Sequence, residues 1–130
     1  MPAHTPEETH LEWTKAFHAG DLDGLVAMYE PGAAVMSEPG GEAVYEPVAV
    51  REVLEGFLAL GADFDLRIHR TIRSGDIAIL YSRWTMTGGT GADGSEVNLT
   101  GQTSDVVRRQ PDDTWLLVID NPFGCEGIGL

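Results

Sequence analysis

The chain has 130 residues, 42% of them hydrophobic, which is enough for one buried core and too few for two ordinary domains. Its 21 acidic and 8 basic residues give a formal charge of −13, and such a chain repels nucleic acid and other extended polyanions. No stretch has the apolar length of a membrane span or the features of a secretory leader, so we expect a single cytoplasmic domain at 1–130 with no membrane partner.

Helical patterns fill most of the first half. At residues 5–8 a capping threonine precedes a proline and two glutamates, which predicts a helix from there to Gly20. A third helix is predicted over 47–61 for similar reasons. Between them Asp21 can cap a shorter helix that stops at Pro31, with an apolar face formed by Leu22, Leu25, Val26 and Tyr29.

Strand patterns occupy the rest of the chain. Residues 33–38 predict a short strand, and residues 42–45 could return as its partner. Four longer strand-like segments follow in the second half, at Asp65–Arg73, Ile77–Thr87, Glu96–Arg109 and Trp115–Asn121. Helices first and antiparallel strands afterwards indicate an α+β fold, with the helices on one face of a curved sheet.

The segment at 77–87 is apolar on both of its faces. One face carries Ile77, Ile79 and Tyr81, and the other carries Leu80, Trp84 and Met86. Since the core of one domain covers only one face of a sheet, we expect a second copy of the chain to cover the other. The sequence therefore predicts a homodimer.

The most informative single residue is Asp105. In the strand pattern at 97–109 the odd positions are mostly apolar, so they face the core and Asp105 faces it with them. A carboxylate in a core must be hydrogen-bonded, paired or neutral, because burying a bare charge is too costly. Asp105 is therefore either a catalytic group or a structural carboxylate that accepts hydrogen bonds from a nearby tyrosine, tryptophan or main-chain donor.

Two other carboxylates are candidates for the same site. Glu38 ends a predicted strand and is followed by a proline that fixes it. Asp120 lies in the last strand, whose facing is ambiguous because two alternative apolar faces run through it. If Asp120 points inward with Asp105, the two carboxyls compete for a proton, which suits general acid/base catalysis. If it points outward, it is only a charge near a turn.

Several patterns that look like motifs favour plainer interpretations. The glycines at 89–94 match a dinucleotide-binding pattern, but a strand follows them where a helix is needed, so we interpret the segment as a hairpin loop. The four histidines lack the helical spacing that places two imidazoles on one metal, so we expect no metal site and no cofactor. Cys125 has no partner cysteine, which fits a reducing compartment.

Three segments carry a family resemblance, namely AGDLDGLVAMYEPGAAV at 19–35, EPVAVREVLEGFLAL at 46–60 and SDVVRRQPDDTWLLVIDNP at 104–122. With them the chain resembles, over nearly its whole length, the SnoaL-like and ketosteroid isomerase-like members of the nuclear transport factor 2-like superfamily. The resemblance implies a cone-shaped α+β barrel in which three helices wrap a strongly bent antiparallel sheet. It also implies a mostly apolar pocket and, commonly, a homodimer.

The resemblance implies roles for particular residues as well. Isomerases of this superfamily carry a catalytic base followed by proline, and Glu38 is similar. They carry a protonated acid at the position of Asp105, which donates a hydrogen bond to an enolate oxygen. Trp13 stands where they have a tyrosine, and its indole N–H donates but is far less acidic than a phenol. Tyr45 or Tyr81 could supply a phenol instead.

Three hypotheses about function follow. The first is a cofactor-independent isomerase, cyclase or lyase that moves a proton next to a carbonyl, with Glu38, Asp105 and Asp120 as its catalytic carboxylates. The second is a non-catalytic module that binds a small apolar molecule, and the residues expected to line its pocket are Trp13, Phe17, Met36, Tyr45 and Tyr81. The third is a dimeric scaffold with a filled interior.

Overall fold

The computed structural model describes residues 2–129, which form three helices and six strands. The helices are α1 (Pro6–His18), α2 (Leu22–Val26) and α3 (Pro47–Ala59). The strands are β1 (Tyr29–Met36), β2 (Ala43–Val44), β3 (Asp63–Ser74), β4 (Ile77–Thr90), β5 (Glu96–Arg109) and β6 (Trp115–Asp120). The strands form one open sheet in the order β2-β1-β6-β5-β4-β3, and the helices pack against one face of it.

The predicted α+β fold is confirmed, with one difference in the sheet. Neighbouring strands are antiparallel except β1 and β6, which run parallel, so the sheet is mixed and not wholly antiparallel. The last strand of the chain inserts between β1 and β5. Local patterns do not reveal this pairing, because the two parallel strands are far apart in the sequence.

The first helix begins where its capping signal predicts. The side-chain oxygen of Thr5 accepts a hydrogen bond from the main-chain N–H of Glu8 at 3.2 Å, which satisfies a donor that has no partner inside the helix. The helix ends at His18, and Gly20 then takes a left-handed conformation with φ of +66°. This turn sends the chain into α2 and fixes where α1 crosses the sheet.

The predicted second helix is too long, and the strand after it is misplaced. α2 ends at Val26, and Tyr29 already belongs to β1, where it pairs with Leu117 of β6. The predicted extension of this strand to Glu38 is also wrong, since β1 ends at Met36. The helical spacing of Tyr29 misled the prediction, because pairing with a strand from the far end of the chain overrides a local pattern.

The two faces of β4 and β5 are divided as the alternation predicts. The buried inner residues are Gly101, Thr103, Asp105 and Val107 in β5 and Leu80, Trp84 and Met86 in β4. The outer face of β4 carries Ile77 and Tyr81, which are both exposed. The glycine-rich segment between the two strands is a turn, as expected from the strand that follows it.

A bulge in β6 decides which way Asp120 points. Two consecutive residues of β5 pair with Leu117 and Ile119, so Val118 is an extra residue in β6 at this point. The extra residue shifts the alternation of side chains by one position. Leu117 and Asp120 therefore face the same side of the sheet, the side that carries Asp105.

Candidate active site

A cavity lies between the helices and the inner face of the sheet. Its volume is about 50 Å³, which is more than a single buried water needs. Its four polar lining residues are His10, Thr103, Asp105 and Asp120. The remaining lining residues are apolar and include Trp13, Met36, Phe57, Phe64 and Trp84. The cavity is thus an apolar space with one polar cluster.

Asp105 is 3% exposed, and both of its carboxyl oxygens accept hydrogen bonds. Oδ1 accepts from the main-chain N–H of Asn121 at 2.8 Å. Oδ2 lies 2.7 Å from Nε2 of His10, and Nδ1 of the same ring lies 2.9 Å from the hydroxyl oxygen of Ser82. With a proton on Nε2, the ring donates a short hydrogen bond to the carboxylate. Each carboxylate oxygen keeps a further lone pair for a proton from the cavity.

Ser82, His10 and Asp105 are the three residue types of a nucleophilic triad, but their arrangement serves another purpose. Ser82 is 3% exposed and does not line the cavity, so its hydroxyl is not presented to a ligand. The hydroxyl contacts one ring nitrogen of His10 while Asp105 contacts the other. The hydrogen bonds from Ser82 to His10 and from His10 to Asp105 therefore orient the imidazole ring and, through it, the Asp105 carboxyl.

Asp120 has a different environment. Its Oδ2 accepts a hydrogen bond from the hydroxyl of Tyr29 at 2.5 Å, and the Tyr29 oxygen accepts one from the indole N–H of Trp13 at 3.0 Å. One side of the Asp120 carboxyl faces the cavity, and protein atoms surround the rest. Asp120 thus receives a single side-chain donor among mostly apolar neighbours.

These surroundings raise the pKa of Asp120. Burial raises the pKa of Asp120 well above its ordinary value of 3.8, and the negative charge of Asp105 and a hydrogen bond between the two carboxyls raise it further. The hydrogen bond from Tyr29 opposes these effects without cancelling them. Burial also raises the pKa of the Tyr29 phenol well above 10.0, with a further contribution from Asp120. The pair of carboxyls therefore keeps one proton on Asp120 to higher pH than an ordinary aspartate does.

The structure brings four of the eight predicted site residues to the cavity. Asp105, Asp120, Trp13 and Met36 line it. Phe17 lies behind Trp13, with the two ring centroids 5.3 Å apart, and supports the wall without lining it. The indole N–H of Trp13, expected from the resemblance to serve a ligand, is donated to Tyr29 instead.

The other three predicted residues lie elsewhere. Glu38 is exposed in the turn after β1, where its side chain lies against Gly41, so the resemblance that made it a base does not place it at the cavity. Tyr45 is 60% exposed and borders a separate groove between α2, α3 and β1. Tyr81 lies on the outer face of the sheet, because the alternation of β4 points it away from the helices.

Sequence reasoning missed His10 and Tyr29. His10 lies one helical turn before Trp13 and two turns before Phe17 on α1, so helical spacing places the three on one buried face. That pattern places His10 on the face of α1 that packs against the sheet, and it is the signal by which the sequence could identify this residue. Tyr29 gave no comparable signal, since its assignment to a helix concealed its place in β1.

Three further properties of the described chain concern metal ligands, membrane-spanning helices and the single cysteine. Among residues 2–129, no group of three or more histidine, cysteine, aspartate or glutamate side chains is placed to hold a metal ion. Over the same range, no helix has the length and apolar character needed to cross a membrane. Cys125 is exposed and has a free thiol.

The fold and cavity define a class of protein, an α+β cone whose three helices and six-stranded sheet enclose an apolar space with a carboxyl pair. The sequence profile of the SnoaL-like domain matches residues 11–115. The chain belongs to the SnoaL-like domain family, which confirms the resemblance noted in its sequence.

Solved structures share this fold at low sequence identity. A ketosteroid isomerase-like protein from Erwinia carotovora atroseptica SCRI1043 is 21% identical, with a TM-score of 0.70 over 88% of both chains. A proposed dehydratase of the NTF2-like family from Streptomyces avermitilis is 16% identical, with a TM-score of 0.66 over 88% of this chain and 89% of that one. SalBIII, an epoxide hydrolase/cyclase-like enzyme with a role in pyran ring formation in salinomycin, is 17% identical, with a TM-score of 0.64 over 90% and 88%. At these identities the likeness shows the fold alone, and no curated protein matches the sequence.

Proposed function

We propose that this SnoaL-like domain is a cofactor-independent acid/base enzyme that acts on a small carbonyl compound. The observation that carries the proposal is the carboxyl pair at the apolar cavity, in which Asp105 accepts two hydrogen bonds and Asp120 has a raised pKa. Moving a proton next to a carbonyl needs one group that takes a proton and a second group that gives one. Two carboxyls in different environments meet that need.

In the proposed reaction Asp105 removes a proton from the carbon next to the carbonyl. The electron pair of the broken C–H bond moves toward the carbonyl oxygen, and Asp120 donates its proton to that oxygen, so that an enol forms. Asp105 then returns its proton to another carbon of a conjugated enol, and the oxygen-bound proton returns to Asp120. The sum is an isomerisation with no net gain or loss of protons.

The cavity limits the substrate. A cavity of about 50 Å³ is well below the volume of about 300–1,000 Å³ that is typical of ligand pockets, so it suits only a molecule of a few heavy atoms and not the fused rings of a steroid. Its mostly apolar walls favour a substrate with little polar surface besides the carbonyl. The neighbours are named isomerase-like, dehydratase and cyclase-like, and these different names select no single reaction for this chain, so the proposed reaction rests on the carboxyl pair.

The test of this proposal does not need the natural substrate. A panel of ketones of increasing size, beginning with acetone, is incubated with the protein in D₂O, and proton NMR follows the loss of the hydrogens next to the carbonyl. We expect exchange above the buffer rate, and a loss of about 10²–10⁴-fold in that excess for Asp105→Asn and Asp120→Asn. Glu38→Gln is the matched control, because it alters a carboxylate that lies outside the cavity. Full exchange in Asp105→Asn would contradict the assigned base.

The apolar lining supports a second candidate function, which is binding of a small apolar molecule without chemistry. In that case the same ketones shift the NMR signals of Trp13 and Met36 in the unaltered protein and in both aspartate variants. No ketone exchanges its hydrogens with solvent. A protein that shows neither shifts nor exchange would instead fit the scaffold hypothesis.

We also propose that a second copy of the chain covers the outer face of the sheet. Four aliphatic side chains pair across β3, β4, β5 and β6 in a single row formed by Ile72, Ile79, Val106 and Ile119. The ends of this row are 47% and 40% exposed. The same face carries Arg67, Arg70, Arg83 and Arg108, and two of them pair with carboxylates, Arg67 with Asp65 and Arg108 with Glu30. These arginines offset part of the charge of −13 beside the aliphatic row, which lowers the repulsion between two copies that meet there.

The oligomeric state tests this second proposal. Light scattering at micromolar concentration is expected to give the mass of a dimer for the unaltered chain and of a monomer for Ile79→Asp, which puts a charge in the centre of the row. Leu11→Asp, at a residue of α1 that is 51% exposed, is the matched control and is expected to remain dimeric. A monomeric mass for the unaltered chain would contradict the proposal.

A further inference from the structure

A directed chain of two hydrogen bonds leads from α1 to Asp120. An indole N–H can only donate, so the Tyr29 oxygen must accept the bond from Trp13 at 3.0 Å. The phenol has one hydrogen of its own, and it is donated to Oδ2 of Asp120 at 2.5 Å. The chemistry of the two donors therefore fixes the direction of both bonds.

This direction also favours one oxygen of Asp120 as the site of its proton. The carbonyl oxygen of a neutral carboxyl accepts hydrogen bonds better than its hydroxyl oxygen, so the bond from Tyr29 to Oδ2 favours a proton on Oδ1. Oδ1 is then the oxygen that can donate, either to Asp105 or to a carbonyl oxygen in the cavity.

The two donors are held rigidly in place. The indole of Trp13 stacks on Phe17 with an interplanar angle of 13°, and its centroid lies 5.2 Å from that of Phe64. Tyr29 is 7% exposed at the start of β1. Burial raises the pKa of the Tyr29 phenol well above 10.0, so the phenol keeps its hydrogen while Asp120 titrates.

We propose that Trp13 and Tyr29 are positioning residues, which hold the Asp120 carboxyl so that its proton lies on Oδ1 and is available to the ligand. The hydrogen bonds from Trp13 to Tyr29 and from Tyr29 to Asp120 are the basis of this role. Its use in catalysis rests on the proposed function. The titratable groups that face Asp120 are Tyr29 from β1 and Asp105 from β5, and His10 of α1 reaches it through Asp105.

The first test is a titration of the aspartate side-chain carboxyls by carbon NMR. The Tyr29 hydrogen bond lowers the pKa of Asp120, because it favours the ionised form, so Tyr29→Phe is expected to move the Asp120 midpoint to higher pH. Tyr81→Phe is the matched control, since it removes a phenol from the outer face of the sheet and is expected to leave the midpoint in place. An unchanged midpoint in Tyr29→Phe would overturn the proposal.

The second test uses the unaltered protein and stays valid if a variant fails to fold. The indole N–H signal of Trp13 in a nitrogen–proton spectrum is expected to follow the titration of Asp120, since the two groups are joined through Tyr29. The indole of Trp115 serves as internal control and is expected to stay in place over the same pH range. A Trp13 signal whose position does not change as Asp120 titrates would also overturn the proposal.

Neither titration involves a substrate, so the two proposals can fail separately. One outcome is ketone exchange that depends on Asp105, with the same Asp120 midpoint in Tyr29→Phe as in the unaltered protein. This outcome would support the proposed function and overturn the positioning role. A midpoint that moves as expected without exchange of any ketone would keep the positioning of the carboxyl and overturn the enzyme.

Discussion

Asp105 and Asp120 lie side by side at the cavity, yet the regions around them are built differently. Around Asp105, His10 of α1 and the main-chain N–H of Asn121 contact separate carboxyl oxygens. Around Asp120 the structure provides one side-chain donor, Tyr29, and mostly apolar walls. The difference lies in what surrounds each carboxyl, because donors contact both oxygens of Asp105, whereas burial and a neighbouring negative charge raise the pKa of Asp120.

The largest expected effect on stability comes from removing His10, the side chain that contacts the Asp105 carboxyl. His10→Ala leaves Asp105 buried without its side-chain partner, and we expect a loss of about 3–5 kcal/mol in the free energy of unfolding. Urea unfolding followed by tryptophan fluorescence measures it. His69→Ala, at an exposed histidine of β3, is the control and is expected to change little. Equal losses in both variants would show that Asp105 does not depend on His10.

A smaller effect on stability, which depends on pH, is expected from replacing Asp120. The folded pKa of Asp120 is raised, so its contribution to stability is full below the unfolded value near 3.8 and is lost as the pH rises through the folded value. Each tenfold change in proton affinity corresponds to about 1.4 kcal/mol. Asp120→Asn removes this titration while keeping an oxygen for Tyr29.

Urea unfolding of the unaltered protein and of Asp120→Asn between pH 4 and pH 8 measures the effect. The unaltered protein is expected to lose stability relative to the variant as the pH rises, because only it must ionise a half-buried carboxyl beside Asp105. Parallel curves would mean that Asp120 titrates like a solvated aspartate, and the contrast between the two carboxyls would disappear.

The smallest expected effect on stability comes from removing the hydroxyl of Ser82, which contacts His10. Ser82→Ala removes one neutral hydrogen bond from His10, and we expect a loss of about 1 kcal/mol in the free energy of unfolding with ketone exchange largely retained. Ser74→Ala, at the exposed end of β3, is the control. Complete loss of exchange in a folded Ser82→Ala protein would instead indicate that the hydroxyl takes part in the chemistry.

Much of the fold could be predicted because its signals are local. A threonine, proline and glutamate pattern places the start of α1, and an alternation of period two places Asp105 on the inner face of β5. The same alternation separates Leu80 and Trp84 from Tyr81 in β4. Errors begin where a segment pairs with a distant one, as in Tyr29, whose helical spacing is outweighed by its pairing in β1.

The site could be predicted only in part, for the same reason. Asp105 was found because its strand has one clear apolar face, whereas the facing of Asp120 depends on a bulge that no pattern in β6 reveals. Glu38 was named through a family resemblance, and the turn after β1 places it away from the cavity. Resemblance transfers the fold more safely than the position of a side chain in a turn.

The sequence by itself determined the α+β class, the family, the start of the first helix and the inward position of Asp105, because these depend on patterns within single segments and on the order of those segments along the chain. Only the tertiary structure decided that His10 contacts Asp105, that Asp120 turns inward beside it, and that Trp13 reaches Asp120 through Tyr29. Those contacts join segments far apart in the chain. Their distances depend on strand register and helix packing, which the periodicity of a single segment does not contain.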